Sequence, residues 1–195
     1  MRYATDHKAQ TRERVLREAA AAIRADGPDR VGVAQLMSRA GLTHGGFYAH
    51  WSSKDALLAD AVDWMFVDGA AFFDGAEALE PRAVLDRYVA GYLSMTHRDS
   101  RERGCPVPIL SGELHRLPAE ARARFAAAVK RMTARIARLL DRAGVGGSGE
   151  RAASVVAEMV GAVGLARVLD DREAAEALLA AARASVRAKL DLTAR

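Results

Sequence analysis

The chain has 195 residues, 50% hydrophobic and 28% charged, with one cysteine, five prolines and a formal net charge of +4. That apolar share excludes a disordered chain, and a lone cysteine excludes an internal disulfide framework. No run approaches the roughly 18–20 apolar residues of a membrane span. The opening MRYATDHKAQTRERV lacks the apolar stretch of a secretory leader, so a reducing, cytoplasmic setting without membrane contact is expected.

The pattern along the chain is all-α, about nine helices, with no period-two alternation over strand length. A first helix is predicted over residues 8–26, where Val15, Leu16, Ala19, Ala22 and Ile23 recur at helical spacing before Gly27-Pro28 ends it. A short second helix follows over 33–40 with Leu36 and Met37 facing inward. Gly41 breaks the pattern, and Thr43 is positioned to cap a third helix over 44–51. Ser53 has the chemistry to cap a fourth, running from Lys54 into the seventies, with Leu57, Leu58, Ala61, Val62 and Met65 inside.

Pro81 suits the first turn of a helix reaching about Met95, with Val84, Leu85, Tyr88 and Leu93 available to the core. Residues 98–104 are polar, and the segment after Cys105-Pro106-Val107-Pro108 is apolar. A long helix over 118–142 turns Phe125, Val129, Met132, Ile136, Leu139 and Leu140 to one side. Its other side carries Arg131, Arg135, Arg138 and Arg142, read as a solvated face. GVGGSG at 144–149 lacks the preceding strand and following Lys-Ser/Thr of a phosphate loop and reads as a connector. Two last helices are predicted over 150–169 and 172–192. Gly161 and Gly164 in the first of them predict close approach of another helix.

Charge is unevenly placed. Residues 1–54 hold nine of the 29 basic and five of the 25 acidic groups, leaving twenty of each in the remainder. All the excess positive charge thus lies in the first quarter, together with His7, His44 and His50. A basic head on a neutral body points to a polyanionic partner for the head alone.

Residues 33–54, VAQLMSRAGLTHGGFYAHWSSK, have the layout of a helix-turn-helix. Leu36, Ala40, Leu42 and Phe47 are spaced to hold its two helices against the first, and Phe47 and Trp51 are expected in the core. His44, Gly45, Gly46, Tyr48, Ala49 and His50 remain on the open side. Such a helix enters a major groove with its early residues and anchors on phosphates at its ends. Thr43 and Tyr48 supply hydroxyls, and Lys54 adds a charge at the N-terminus of the next helix.

The run from Phe47 to Leu58, FYAHWSSKDALL, with its aromatic-x-His-aromatic core followed by Ser-Lys-Asp, resembles the DNA-binding head of TetR/AcrR-family transcriptional repressors. The resemblance implies a head over 1–54, with its motif at about 32–51, and a helical ligand-binding and dimerisation body over 55–195. It implies phosphate contacts at Tyr48, Thr43 and Lys54, with Thr11 of the first helix as a further hydroxyl. Groove contacts fall at His44, Gly45 and Gly46, and His50 lies near the backbone. Gly32 stands where the family has a capping Ser or Thr, and Met37 where it has Ala. The Gly45-Gly46 pair leaves few side chains for base readout, so His44, backbone approach and DNA shape would carry specificity.

For the body the resemblance implies a small-molecule site among the middle helices. Met65, Phe66, Phe72, Phe73, Tyr88, Tyr92, Met95 and Met132 are its candidate lining, each equally suited to an ordinary core. It also implies a homodimer through the last two helices, whose apolar faces exceed what one short body buries. Cys105, preceded by Arg101 and Arg103, is a candidate electrophile or oxidant sensor; a packed cysteine is the plainer alternative. His97 and His115 lack metal-ligand spacing, so no metal and no cofactor is expected.

The expected function is that of a ligand-responsive repressor binding a near-palindromic operator duplex as a homodimer. A small-molecule or electrophile inducer would release it. An enzyme is not expected, since no nucleophile triad, carboxylate pair or nucleotide fingerprint is present. The alternative is a helical protein-interaction module, which would lack salt-dependent DNA affinity.

Overall fold

The computed structural model describes residues 2–75 and 78–192, with side chains from residue 7 onward apart from His44 and Asp68. Every regular element among them is helical. Ten α-helical segments are α1 (Arg2–Asp26), α2 (Val33–Arg39), α3 (Lys54–Met65), α4 (Val67–Ala71), α5 (Pro81–Tyr92), α6 (Met95–Asp99), α7 (Val107–Leu110), α8 (Ala119–Arg142), α9 (Ser148–Val168) and α10 (Arg172–Lys189). Two 3₁₀ turns, η1 (His44–Ala49) and η2 (Ser111–Arg116), complete the order. Among the described residues no helix is long and apolar enough to cross a membrane.

Local chemistry accounts for most boundaries. Gly27, at φ +87°, stops α1 and donates to the Ile23 carbonyl at 3.0 Å. After α2, Gly41 at φ +69° donates to Ser38 and Leu42 donates to Met37, the paired bonds of a left-handed helix stop. Ser53 caps α3 by accepting from the Ala56 amide at 3.1 Å, as its residue type predicts. Pro81 occupies the first turn of α5, with the Glu80 side chain as cap. Gly32 precedes α2 with no side-chain cap bond.

Four local expectations are corrected. The third helix is a six-residue 3₁₀ turn, because two adjacent glycines and so short a length do not sustain an α-helical ladder. Thr43 occupies its cap position, but its side chain makes no cap bond. The fourth helix does not run unbroken into the seventies. At Phe66 the amide turns to the Asp63 carbonyl, ending α3, and α4 restarts one residue later. Gly161 is exposed, with nothing within 4 Å of an added Cβ, so it marks no close approach within the chain, whereas at Gly164 an added Cβ would lie 4.0 Å from the Pro108 carbonyl of α7, whose backbone does come close there.

The apolar faces build two cores joined by α8. One gathers α1, α2, η1 and α3 around Val15, Ile23, Met37, Phe47, Trp51 and Leu57, and takes in Phe125 from the first half of α8. Phe47 and Trp51 are 2% and 3% exposed, stacked at 5.9 Å, which places both in the core as expected. The other packs α5, α9 and α10 on Ile136, Leu139 and Leu140 from the second half of α8. Met132, midway along α8, touches both.

Candidate DNA-binding face and ligand cavity

The short η1 turn displays its side chains because its inward positions are already filled. Phe47 is buried in the core that α1, α2 and α3 share, while Tyr48, the next residue, is 67% exposed. Thr43 and Gly45 are also exposed, while Gly46 is half-buried with an added Cβ lying 3.7 Å from the Met37 methyl. The backbone of His44 opens the turn; its side chain lies outside the described residues. Lys54 is half-exposed at the first turn of α3, where unpaired amides and the helix dipole favour an anion.

Thr11 requires a correction. It is 5% exposed, one turn before Val15 on the buried stripe of α1, which leaves little of its side chain to meet a phosphate. His50 is half-buried and its Nδ1 has no hydrogen-bond partner. Burial, helped by the nearby charges of Lys8 and Arg12, pushes its pKa down and favours the neutral ring.

Arg12 was not singled out by sequence, yet it organises the base of this face. Its guanidinium lies 4.6 Å over the Trp51 ring, donates to the His50 carbonyl at 2.8 Å, and pairs with Asp60. Asp60 also accepts from Trp51 Nε1 at 2.9 Å and from Arg124 of α8 at 2.9 Å. One carboxylate thus ties the head to the body. The only sequence signal was the buried Trp, whose indole N–H needs an acceptor.

At the other end of α3 lies a cavity of about 560 Å³. Met65, Phe66, Phe72, Tyr88, Tyr92 and Met132 all border it, as does Phe73. Met95 does not: it opens α6 and packs against the second core instead. The aromatic wall is continuous, with Phe73 and Tyr88 at 4.7 Å and Tyr88 and Tyr92 at 5.8 Å between ring centroids. Arg131 and Arg135 border the cavity together with Arg103; Arg131 is also exposed to solvent, as expected of that face, while Arg135 is half-buried.

The polar end of the cavity is built from backbone bonds. His97 Nδ1 lies 2.6 Å from the Tyr92 carbonyl and Nε2 accepts from the Cys105 amide at 2.9 Å, which assigns the proton to Nδ1. Burial is the main cause lowering the His97 pKa, with Arg167 adding to it against the raising bond to Tyr92. Gly104 is packed so tightly that an added Cβ would lie 2.8 Å from the Ser100 carbonyl and 3.0 Å from the His97 ring. Cys105 borders the cavity, but burial pushes its thiol up, outweighing Tyr92, the Val107 backbone, Arg24 and Arg167. A thiolate, which the sensor alternative needs, is therefore disfavoured, in line with the plainer reading of a packed cysteine.

Comparisons with known proteins agree with this layout. Residues 15–61 match the family described as "Bacterial regulatory proteins, tetR family", and residues 81–182, more than half of the chain, match "Tetracyclin repressor-like, C-terminal domain". Among curated proteins no sequence match was found. The fold is similar to that of NemR from Escherichia coli in its reduced form, at TM-score 0.80 and 19% identity over 92% of this chain and 97% of that one. It is also similar to a TetR transcriptional regulator from Chloroflexus aurantiacus (TM-score 0.78, 23% identity, 95% and 96% coverage). A third, from Legionella pneumophila, superposes at TM-score 0.76 with 18% identity over 93% and 96%. With both halves matched in order along one chain, this protein belongs to the TetR family of bacterial DNA-binding transcriptional regulators.

Proposed function

We propose that this chain is a homodimeric repressor that binds a near-palindromic operator through residues 1–54 and is released by a small molecule bound in the body, residues 55–195. The observation that carries this reading is the span of α3. Lys54 at its first turn belongs to the exposed basic face, and Met65 at its last residue borders the cavity. Twelve residues make a rigid rod of about 18 Å between the two sites. A ligand that displaces Met65 and Phe66 changes the attitude of the head, and the coupling is the difference in its affinity for the two arrangements.

Pairing through the last two helices is supported by their outer surfaces. Leu165 and Val168 on α9 are 61% and 76% exposed, in line with exposed Ala157 and Gly161. Ala177, Ala181, Ala184 and Ala188 form the matching exposed stripe of α10. A two-fold four-helix contact would cover both stripes.

The test is fluorescence anisotropy of the full chain with a duplex from the region upstream of its own gene, in a salt series, alongside sedimentation of the free protein. The reading requires a steep fall of affinity with salt and a dimer that Leu165→Glu disrupts. Salt-independent or absent DNA binding would favour the protein-interaction module.

A further inference from the structure

The cavity is lopsided in charge. Three arginines border it, Arg103, Arg131 and Arg135, against one carboxylate, Asp63. That carboxylate is already engaged, by Arg124 at 2.9 Å and by Arg131 at 3.6 Å. Among the described residues Arg135 has no carboxylate within ion-pair distance; its guanidinium instead lies 5.6 Å from the Phe73 ring centroid. Tyr92 adds a buried hydroxyl on the inner wall, beside the Cys105 thiol. Between these polar points the surface is aromatic, with Phe72 and Phe73 at 5.3 and 4.7 Å from the Tyr88 ring.

Resting on the reading of this cavity as the inducer site, we propose that it takes an aromatic carboxylate, whose ring packs against Phe72, Phe73 and Tyr88 and whose acid group pairs with Arg135 and Arg131. The volume of about 560 Å³ lies within the usual range for small-molecule sites. A guanidinium whose face lies against an aromatic ring keeps its N–H donors free along its own plane, so a carboxylate can form charge-assisted bonds at that edge. An ammonium ligand would meet three like charges with its one counter-ion already paired. A neutral ligand would keep the aromatic contact and forgo the ionic one.

Isothermal titration of the full chain with 2-naphthoate, 2-naphthalenemethanol and 2-naphthylmethylammonium tests this. The acid should bind about ten- to one-hundred-fold tighter than the alcohol, and the amine weakest. The combined Arg131→Gln and Arg135→Gln change should erase the preference for the acid while leaving the alcohol unaffected. Arg138→Gln, on the same helix but outside the cavity, should leave the preference intact. If the alcohol or amine matches the acid, or the preference survives the double change, the charge assignment is overturned while the cavity stands. If no probe binds, or binding is indifferent to an Ala70→Phe change that fills the cavity, the inducer-site reading falls and the proposal with it.

Discussion

Arg24 of α1 donates through Nη2 to the carbonyl of Met65, 2.7 Å away at the last turn of α3. Its Nη1 reaches the Glu102 carbonyl at 2.9 Å, in the segment that leads into Arg103, Gly104 and Cys105 of the cavity border. A side chain only 3% exposed thus links the first helix of the DNA-binding head to two parts of the cavity wall. Replacing it by Met keeps the apolar stem but strips both carbonyls of a charged donor. We expect Arg24→Met to lower unfolding free energy by about 2–3 kcal/mol in urea denaturation, with Arg24→Lys recovering part of it. An unchanged midpoint would show that the two bonds contribute nothing.

Gly104 is intolerant for a steric reason. A methyl group there would sit 2.8 Å from a backbone carbonyl, which cannot swing aside as a side-chain tip can. Gly104→Ala should therefore cost about 1–3 kcal/mol in a thermal melt, by displacing the segment from His97. The same change at Gly91, where nothing lies within 4 Å of an added Cβ, should be harmless or mildly stabilising.

His97 makes stability depend on pH. Its folded pKa is lowered, so below its ordinary value of 6.5 the unfolded chain takes up the proton first. Stability contributed by the neutral ring is complete above that value and declines as pH falls toward the folded pKa. Protonating Nε2 also sets it against the Cys105 amide, donor facing donor. His50 is lowered too, so the measurement that isolates His97 is the difference between wild type and His97→Gln. Urea midpoints between pH 7.5 and 5 should fall less steeply in the variant.

Cys105 should alkylate slowly. With its thiol raised by burial, native protein treated briefly with N-ethylmaleimide at pH 7 should carry less adduct at Cys105 than urea-unfolded protein, and labelling should climb as pH rises. Rapid, complete labelling of the native chain at neutral pH would restore the sensor reading.

On the DNA side, Lys54→Ala should weaken binding to all duplexes alike and reduce the salt slope by about one. Tyr48→Phe, which removes a hydroxyl and no charge, should weaken binding without altering that slope. The readout is anisotropy at several salt concentrations. Unchanged affinity in either variant would withdraw that residue from the phosphate contacts.

Much of this architecture follows from local pattern. The 3.6-residue spacing of Val15, Ala19, Ala22 and Ile23 determines which side of α1 turns inward, and Gly27, Gly41, Ser53 and Pro81 act within a few residues of themselves. The run from Phe47 to Leu58 carried the family resemblance, with Phe47 and Trp51 inside and Tyr48 outside. Three-dimensional packing settled the remainder. Thr11 is buried, the helix after Lys54 breaks at Phe66, and Arg135, with the exposed Arg131 beside it, borders an aromatic cavity. Arg12 finds Asp60 48 residues away, and Arg24 finds Glu102 at a separation of 78. Periodicity and capping depend on neighbours along the chain. The partner of a buried guanidinium depends on which distant carbonyl or carboxylate the helices deliver to it, and no local pattern encodes that.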